Sequence, residues 1–103
     1  MEIMAEGATL VLSGDFDVRS TWEVRDAVYR HLEQYRDQDV VVDLSGVRSV
    51  DVTALRLLAV ATRQAVRDGH RLTLRGCGPA VRRMLHVSRL IRVVEVERGA
   101  VTA

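Results

Sequence analysis

Residues 40–58 read Val40-Val41-Val42-Asp43-Leu44-Ser45-Gly46-Val47-Arg48-Ser49-Val50-Asp51-Val52-Thr53-Ala54-Leu55-Arg56-Leu57-Leu58. An unbroken valine run, a short polar linker, a second Asp and an Ala/Leu-rich segment spell a buried strand over 40–44, a loop, and a helix opening at Val52. Asp51 has the chemistry of an N-cap: its carboxylate can accept a backbone N–H of the first turn, and its charge complements the positive helix end. Free amides converge at such a helix start. In open α/β proteins this is where a binding surface usually sits, so the Asp51, Val52, Thr53 corner is the candidate site.

Working outward, the helix continues to about residue 67 with Ala54, Leu57, Leu58, Ala61 and Ala65 on one face, and Gly69 closes it. Before the valine run, residues 9–13 form a short apolar strand, and Gly14-Asp15-Phe16-Asp17 reads as the turn that leaves it. Ser20-Thr21-Trp22-Glu23 fits a capping box, with Ser20 as N-cap and a helix from about Thr21. Val24, Ala27, Val28, His31, Leu32 and Tyr35 give that helix its apolar face, with Trp22 and Tyr29 packed at the edge. Residues 37–39 stop it. Downstream, Arg71-Leu72-Thr73-Leu74-Arg75 alternates as a strand, and Gly78-Pro79 opens a third helix that turns Val81, Met84 and Leu85 inward. The helix ends near Val87, residues 91–96 read as the last strand, and residues 99–103 as a frayed tail. A further strand over residues 3–5 is left open. The order βαβαβαβ implies right-handed crossovers, a largely parallel sheet, and a central valine strand covered by helices.

Composition narrows the class. The 103 residues suit one domain, and 48% hydrophobic with 28% charged residues is ordinary for a globular protein. No apolar run is long enough to span a bilayer, and the N-terminus lacks a basic start and signal-like stretch, which reads as a cytoplasmic chain. All 15 basic residues are Arg, and they are segregated. Residues 1–62 carry a net charge of −5, residues 63–92 carry +7, with Asp68 the single acid among eight arginines. Such a half can meet an acidic partner; without aromatic interleaving or a recognised motif, no nucleic-acid partner is expected.

Chemistry-bearing motifs are missing. There is no G-x-G-x-x-G, no P-loop lysine, no C-x-x-C and no H-E-x-x-H, and a chain without Lys cannot form a Schiff base. Cys77 is alone between Gly76 and Gly78 and reads as a small buried residue. His31, His70 and His86 are too far apart in sequence to suggest a metal set. Asp43 and Asp51 are accounted for by strand-end and N-cap roles. The expectation is a protein that is not an enzyme and needs no cofactor or metal.

Four pieces of sequence in order carry a resemblance. Val41-Val42-Asp43-Leu44-Ser45-Gly46-Val47, followed by Val50-Asp51-Val52-Thr53-Ala54-Leu55, resembles the signature of STAS domains, the sulphate-transporter and anti-sigma-factor-antagonist family. Gly14-Asp15-Phe16-Asp17 is similar to the family's G-x-[LF]-D, and Pro79-Ala80-Val81-Arg82-Arg83-Met84-Leu85 with Ser88-Arg89-Leu90 to its last helix and turn. The likeness covers about residues 8–97. It implies a single α/β domain over residues 1–103, with a four- to five-stranded, mixed, largely parallel sheet packed with three main helices.

The resemblance also implies a bacterial regulator of transcription. It would bind an anti-sigma factor that is a Ser/Thr protein kinase, through Asp17, Ser20, Ser45, Ser49, Asp51, Val52, Thr53 and Ala54, with Asp17 orienting the loop or an incoming hydroxyl. In similar bacterial members the second Asp is followed by a phosphorylated Ser. Here Val52 stands at that position, Thr53 offers the adjacent hydroxyl, and Ala54 replaces a glycine. Either Thr53 is the phospho-acceptor, or Ser49 or Ser45 substitutes, or the domain binds without being switched; Thr53 could equally bond backbone in the first turn. Small stand-alone members also resemble the cytoplasmic subunit of lipid-transport ATP-binding-cassette complexes, docked on the ATPase. A ligand module using the helix N-terminus for a nucleotide or lipid head group is the third reading, and dimerisation is left open.

Overall fold

The computed structural model describes residues 1–97; the tail read at residues 99–103 lies outside them. The elements are β1 (Glu2–Glu6), β2 (Thr9–Phe16), α1 (Thr21–Gln34), β3 (Val40–Val50), α2 (Val52–Arg67), β4 (Leu72–Arg75), α3 (Pro79–Val87), a 3-10 turn (Leu90–Arg92) and β5 (Glu95–Val96). They build a five-stranded sheet in the order β1-β2-β3-β4-β5. β1 pairs antiparallel with β2, which settles the open first strand, and every other pair is parallel. The mixed, largely parallel sheet with three helices is the architecture expected. No helix of the described residues is long and apolar enough to cross a membrane.

The strand order explains where the core lies. Each βαβ crossover steps to the next strand in the same direction, and right-handed connections that all step one way put their helices on one face. Leu10 and Leu12 of β2, Val40, Val42 and Leu44 of β3, and Leu72 and Leu74 of β4 turn to that face and are buried. They meet Val24, Val28 and Leu32 of α1, Ala54, Leu58, Ala61 and Ala65 of α2, and Val81 and Leu85 of α3 in one cluster. Val11, Val41 and Thr73 point the other way, half-buried and outside that cluster. The valine run is therefore covered on one side only. The expectation of helices over the whole strand is corrected, because a run of valines fits either case and the order of strands is not written in its period.

Three boundaries differ from the sequence reading. β2 does not turn at Gly14 but runs on through Phe16, and β3 continues through the linker to Val50, paired with β2 past two register shifts. Bulges keep two strands together while destroying the alternation by which strands are recognised. Gly14 sits at φ +105, a conformation a side chain would strain, and so looked like a turn residue. At the other end, residues 91–96 do not form one strand. Arg89 adopts φ 67 and opens the 3-10 turn, Leu90, Ile91 and Val93 pack on the core, and only Glu95 and Val96 pair with β4.

Local chemistry fixes the remaining ends. Gly69 follows α2 at φ +91, and His70 N–H closes the helix on the Ala65 carbonyl. Ser20 precedes α1, but its hydroxyl does not cap it: Oγ donates toward the Asp15 and Asp17 carbonyls and accepts the Asp17 N–H. The capping box is thus not formed. Trp22, expected at the packed edge, is 74% exposed. Cys77 is buried, and that burial pushes its thiol pKa up. His31 is buried with its Nε2 unpartnered among the described residues, its ring tilted against Tyr35.

Gly76 ends β4 at φ +70, where a Cβ would lie 2.8 Å from Ser45 Cβ and 3.1 Å from Ser45 N. Both the backbone conformation and the contact exclude a side chain. Gly76→Ala is expected to lower unfolding free energy by about 2 kcal/mol, read as a drop in urea midpoint at unchanged slope.

Candidate functional site

The α2 mouth is assembled by two strand ends. Asp51 is extended, donates its N–H to the Phe16 carbonyl at 3.2 Å, and accepts the Ala54 N–H on Oδ1 at 2.9 Å. One residue thereby joins β2 to α2 and caps the helix, as its position in the sequence suggested. The amides of Val52 and Thr53, in the first turn, have no intrahelical acceptor. Val52 is half-buried at the rim. Thr53 is exposed, and its hydroxyl makes no hydrogen bond among the described residues, so it does not bond the first turn's backbone. Asp51→Ala removes the cap and is expected to cost about 1 kcal/mol in thermal or urea unfolding, while Asp51→Asn retains most of it.

The loop leaving β2 forms the second wall. Asp17 Oδ1 accepts the Arg19 N–H at 3.0 Å, and its Oδ2 accepts Arg19 Nη2 at 2.9 Å. The Arg19 guanidinium holds the Asp17 carboxyl below its usual range. A lowered carboxyl pKa contributes stability that is present above the unfolded pKa and lost as pH falls through the folded one; here the pair is open to solvent and its share is small. Val18 (63% exposed) and Trp22 stand out from this loop and the start of α1. Arg25 lies over Tyr29 and near Trp22, at 5.5 and 6.0 Å from the ring centroids.

Of the eight residues assigned to the surface, the fold brings Asp17, Asp51, Val52 and Thr53 together at the mouth. Ser49 is next to it, exposed, with its Oγ donating to Asp15 Oδ1 at 2.8 Å. Ser20, 5% exposed, and Ala54, fully buried, lie under the surface; they hold the mouth's shape and do not face outward. Ser45 lies about 15 Å back along β3, where its N–H and hydroxyl both donate to Asp43 Oδ1 beside Gly76. Sequence reasoning missed Asp15 and Arg48, which face each other at 3.5 Å and, with Asp17, Arg19 and Glu23, line a 360 Å³ depression next to the mouth. It also missed Val18 and Trp22. The helical period of Val24, Val28 and Leu32 does place Trp22 away from the core, so that signal was there to use.

A larger hollow, 540 Å³, lies at the far ends of α1 and α2, between Leu32, Arg36, Gln64 and His70. Neither hollow is lined by Asp51, Val52 or Thr53. The mouth is thus a rim with apolar and hydrogen-bonding groups facing outward, a shape that suits a macromolecular surface better than an enclosed small molecule. Among the described residues no three His, Cys, Asp or Glu side chains converge to hold a metal ion.

A family model described as "Mlab, STAS domain" matches residues 2–95. The chain belongs to the STAS domain family. Solved structures share this STAS fold at low identity. An anti-sigma factor antagonist described as putative, from Thermotoga maritima, superposes with a TM-score of 0.76 at 18% identity, over 95% of this chain and 86% of that one. An anti-sigma factor antagonist from Mycobacterium paratuberculosis gives 0.74 at 20% identity, over 95% and 84%. The unphosphorylated antagonist SpoIIAA gives 0.73 at 15% identity, over 94% and 87%. At these identities the likeness establishes the fold of the STAS domain. No curated protein matches by sequence.

Proposed function

We propose that this STAS domain is a non-enzymatic regulator that works by docking another protein at the α2 mouth, as an anti-sigma factor antagonist bound to a kinase-type anti-sigma factor. The observation that carries the reading is the surface itself: half-buried Val52 and exposed Thr53 at a capped helix start, flanked by exposed Val18 and Trp22. Exposed aromatic and aliphatic groups around a polar rim are what protein interfaces use as anchors. Val52 has no hydroxyl to phosphorylate, and burying it against a partner contributes about 1 to 2 kcal/mol. Binding is accordingly constitutive. Thr53 is the exposed hydroxyl next to Val52, and phosphate there would bring about two negative charges into the contact and release it.

The test mixes the purified chain with a kinase-type anti-sigma factor, with and without ATP, and follows the complex by size-exclusion chromatography and intact mass. A complex that survives ATP without added mass supports constitutive docking. One phosphate at Thr53 with dissociation replaces it by a switched mode, and no complex in either condition contradicts the partner. A second reading, which the likeness of small stand-alone STAS proteins implies, is docking on the ATPase of a lipid-transport ATP-binding-cassette complex. Co-purification with an ATPase and a permease, in place of an anti-sigma factor, would select it.

A further inference from the structure

The arginines of the basic half do not all find partners within the fold. Arg71 pairs with Glu95 of β5, and Arg75 with Glu97 just after it. Arg56, Arg63 and Arg67 on α2, Arg83 on α3, and Arg89 and Arg92 at the 3-10 turn are exposed with no carboxylate within ion-pair distance among the described residues. α2, α3 and the 3-10 turn pack on one another, so these charges share one side of the molecule. The one acid of this region, Asp68, is held by Gln64 on the side of α2 that faces α1. Like charges placed together without counter-charges repel, and folding gains nothing from the arrangement.

We propose that the outer face of α2, α3 and the 3-10 turn is a second docking surface, separate from the mouth, for an acidic segment of a partner protein. Three exposed valines lie on the same elements: Val60 and Val66 on α2, and Val87 on α3, at 56%, 60% and 74% exposure. Arginine forks match carboxylates two bonds at a time, and short aliphatic groups between them suit a segment that alternates acid with aliphatic residues. Nucleic acid fits less well, since the face carries no Phe, Tyr or Trp on which a base could stack and its one exposed ring is the small imidazole of His86. A lipid surface fits less well too, because valines are short and the exposed Trp22 is on α1, not here.

The test is a fluorescence-anisotropy and NMR titration of the full chain with a short peptide alternating Glu and Leu. Peptides alternating Glu with Ser and Gln with Leu, and a short DNA duplex, serve as comparison probes. The expected result is saturable, salt-sensitive binding of the Glu/Leu peptide, with shifted amides confined to α2, α3 and the 3-10 turn. Affinity should be at least about tenfold above the comparison probes, and reduced at least about tenfold in the exposed R63E/R67E/R83E variant. Val18→Asp, in the exposed loop beside the mouth and off these elements, should leave it unchanged. The proposal is overturned if the Glu/Ser peptide or DNA binds as tightly, if nothing saturates, if the shifts fall elsewhere, or if the arginine variant binds as the parent does. Loss of the peptide in Val18→Asp would also overturn it, while leaving the mouth reading intact.

Discussion

Val52→Asp and Thr53→Asp are each expected to lower affinity for the docked partner by about 100-fold while leaving the chain folded. The two halves of that expectation rest on different physics. Both residues lie in the first turn of α2, where a carboxylate complements the positive helix end and helps the fold by a few tenths of a kcal/mol to about 1 kcal/mol. Val52→Asp loses some packing at its half-buried position, which offsets this gain. In a complex the same carboxylate would be pressed against a partner and stripped of water, a penalty far larger than the helix contribution. Isothermal titration gives the affinity and a thermal melt gives the fold; binding lost with a melt near the parent's separates recognition from stability.

Phe16→Ala is expected to have the largest effect on stability, about 3 to 5 kcal/mol, or roughly 15 to 20 °C in a chain of this size. Phe16 is fully buried and among the largest side chains in the core. Its carbonyl also receives the Asp51 N–H, so the same residue anchors the core and sets β2 against the start of α2. Phe16→Leu keeps most of the apolar volume and should cost about 1 to 1.5 kcal/mol. Calorimetry of both variants checks the ratio; equal, small losses would mean that the end of β2 carries no packing.

Phe16 also marks how far the sequence could be read. The bounds of α2, its Asp51 cap and its Gly69 stop follow from chemistry within a few residues, and they were legible. So were α3, opened by Pro79, and the buried Cys77. What failed depends on partners distant in sequence. Gly14 and the polar run Ser45 to Ser49 look like turns on their own and become strand only because β2 and β3 pair across bulges. The hydroxyl of Ser20 had two uses open to it, a helix cap or a brace for the loop behind it. The three-dimensional path of Asp15 and Asp17 decided for the brace.

The candidate site divides in the same way. Asp51, Val52 and Thr53 are consecutive, so their meeting at the mouth needed only a helix start. Ser45 dropped away because β3 stays extended and carries it back along the sheet. Asp15 and Arg48 are separated by 33 residues and meet only through strand pairing. No spacing within either segment announces that contact.

A photoreactive residue at Thr53, compared with one at Glu6 on the exposed edge strand β1, is the most direct measurement of whether the α2 mouth is where this STAS domain meets its partner. After irradiation in the native cell, the account predicts one discrete adduct from Thr53, lost when Val52→Asp is added, and none from Glu6. Equal adducts from both positions, or none from Thr53 alongside a strong one from Glu6, would contradict it.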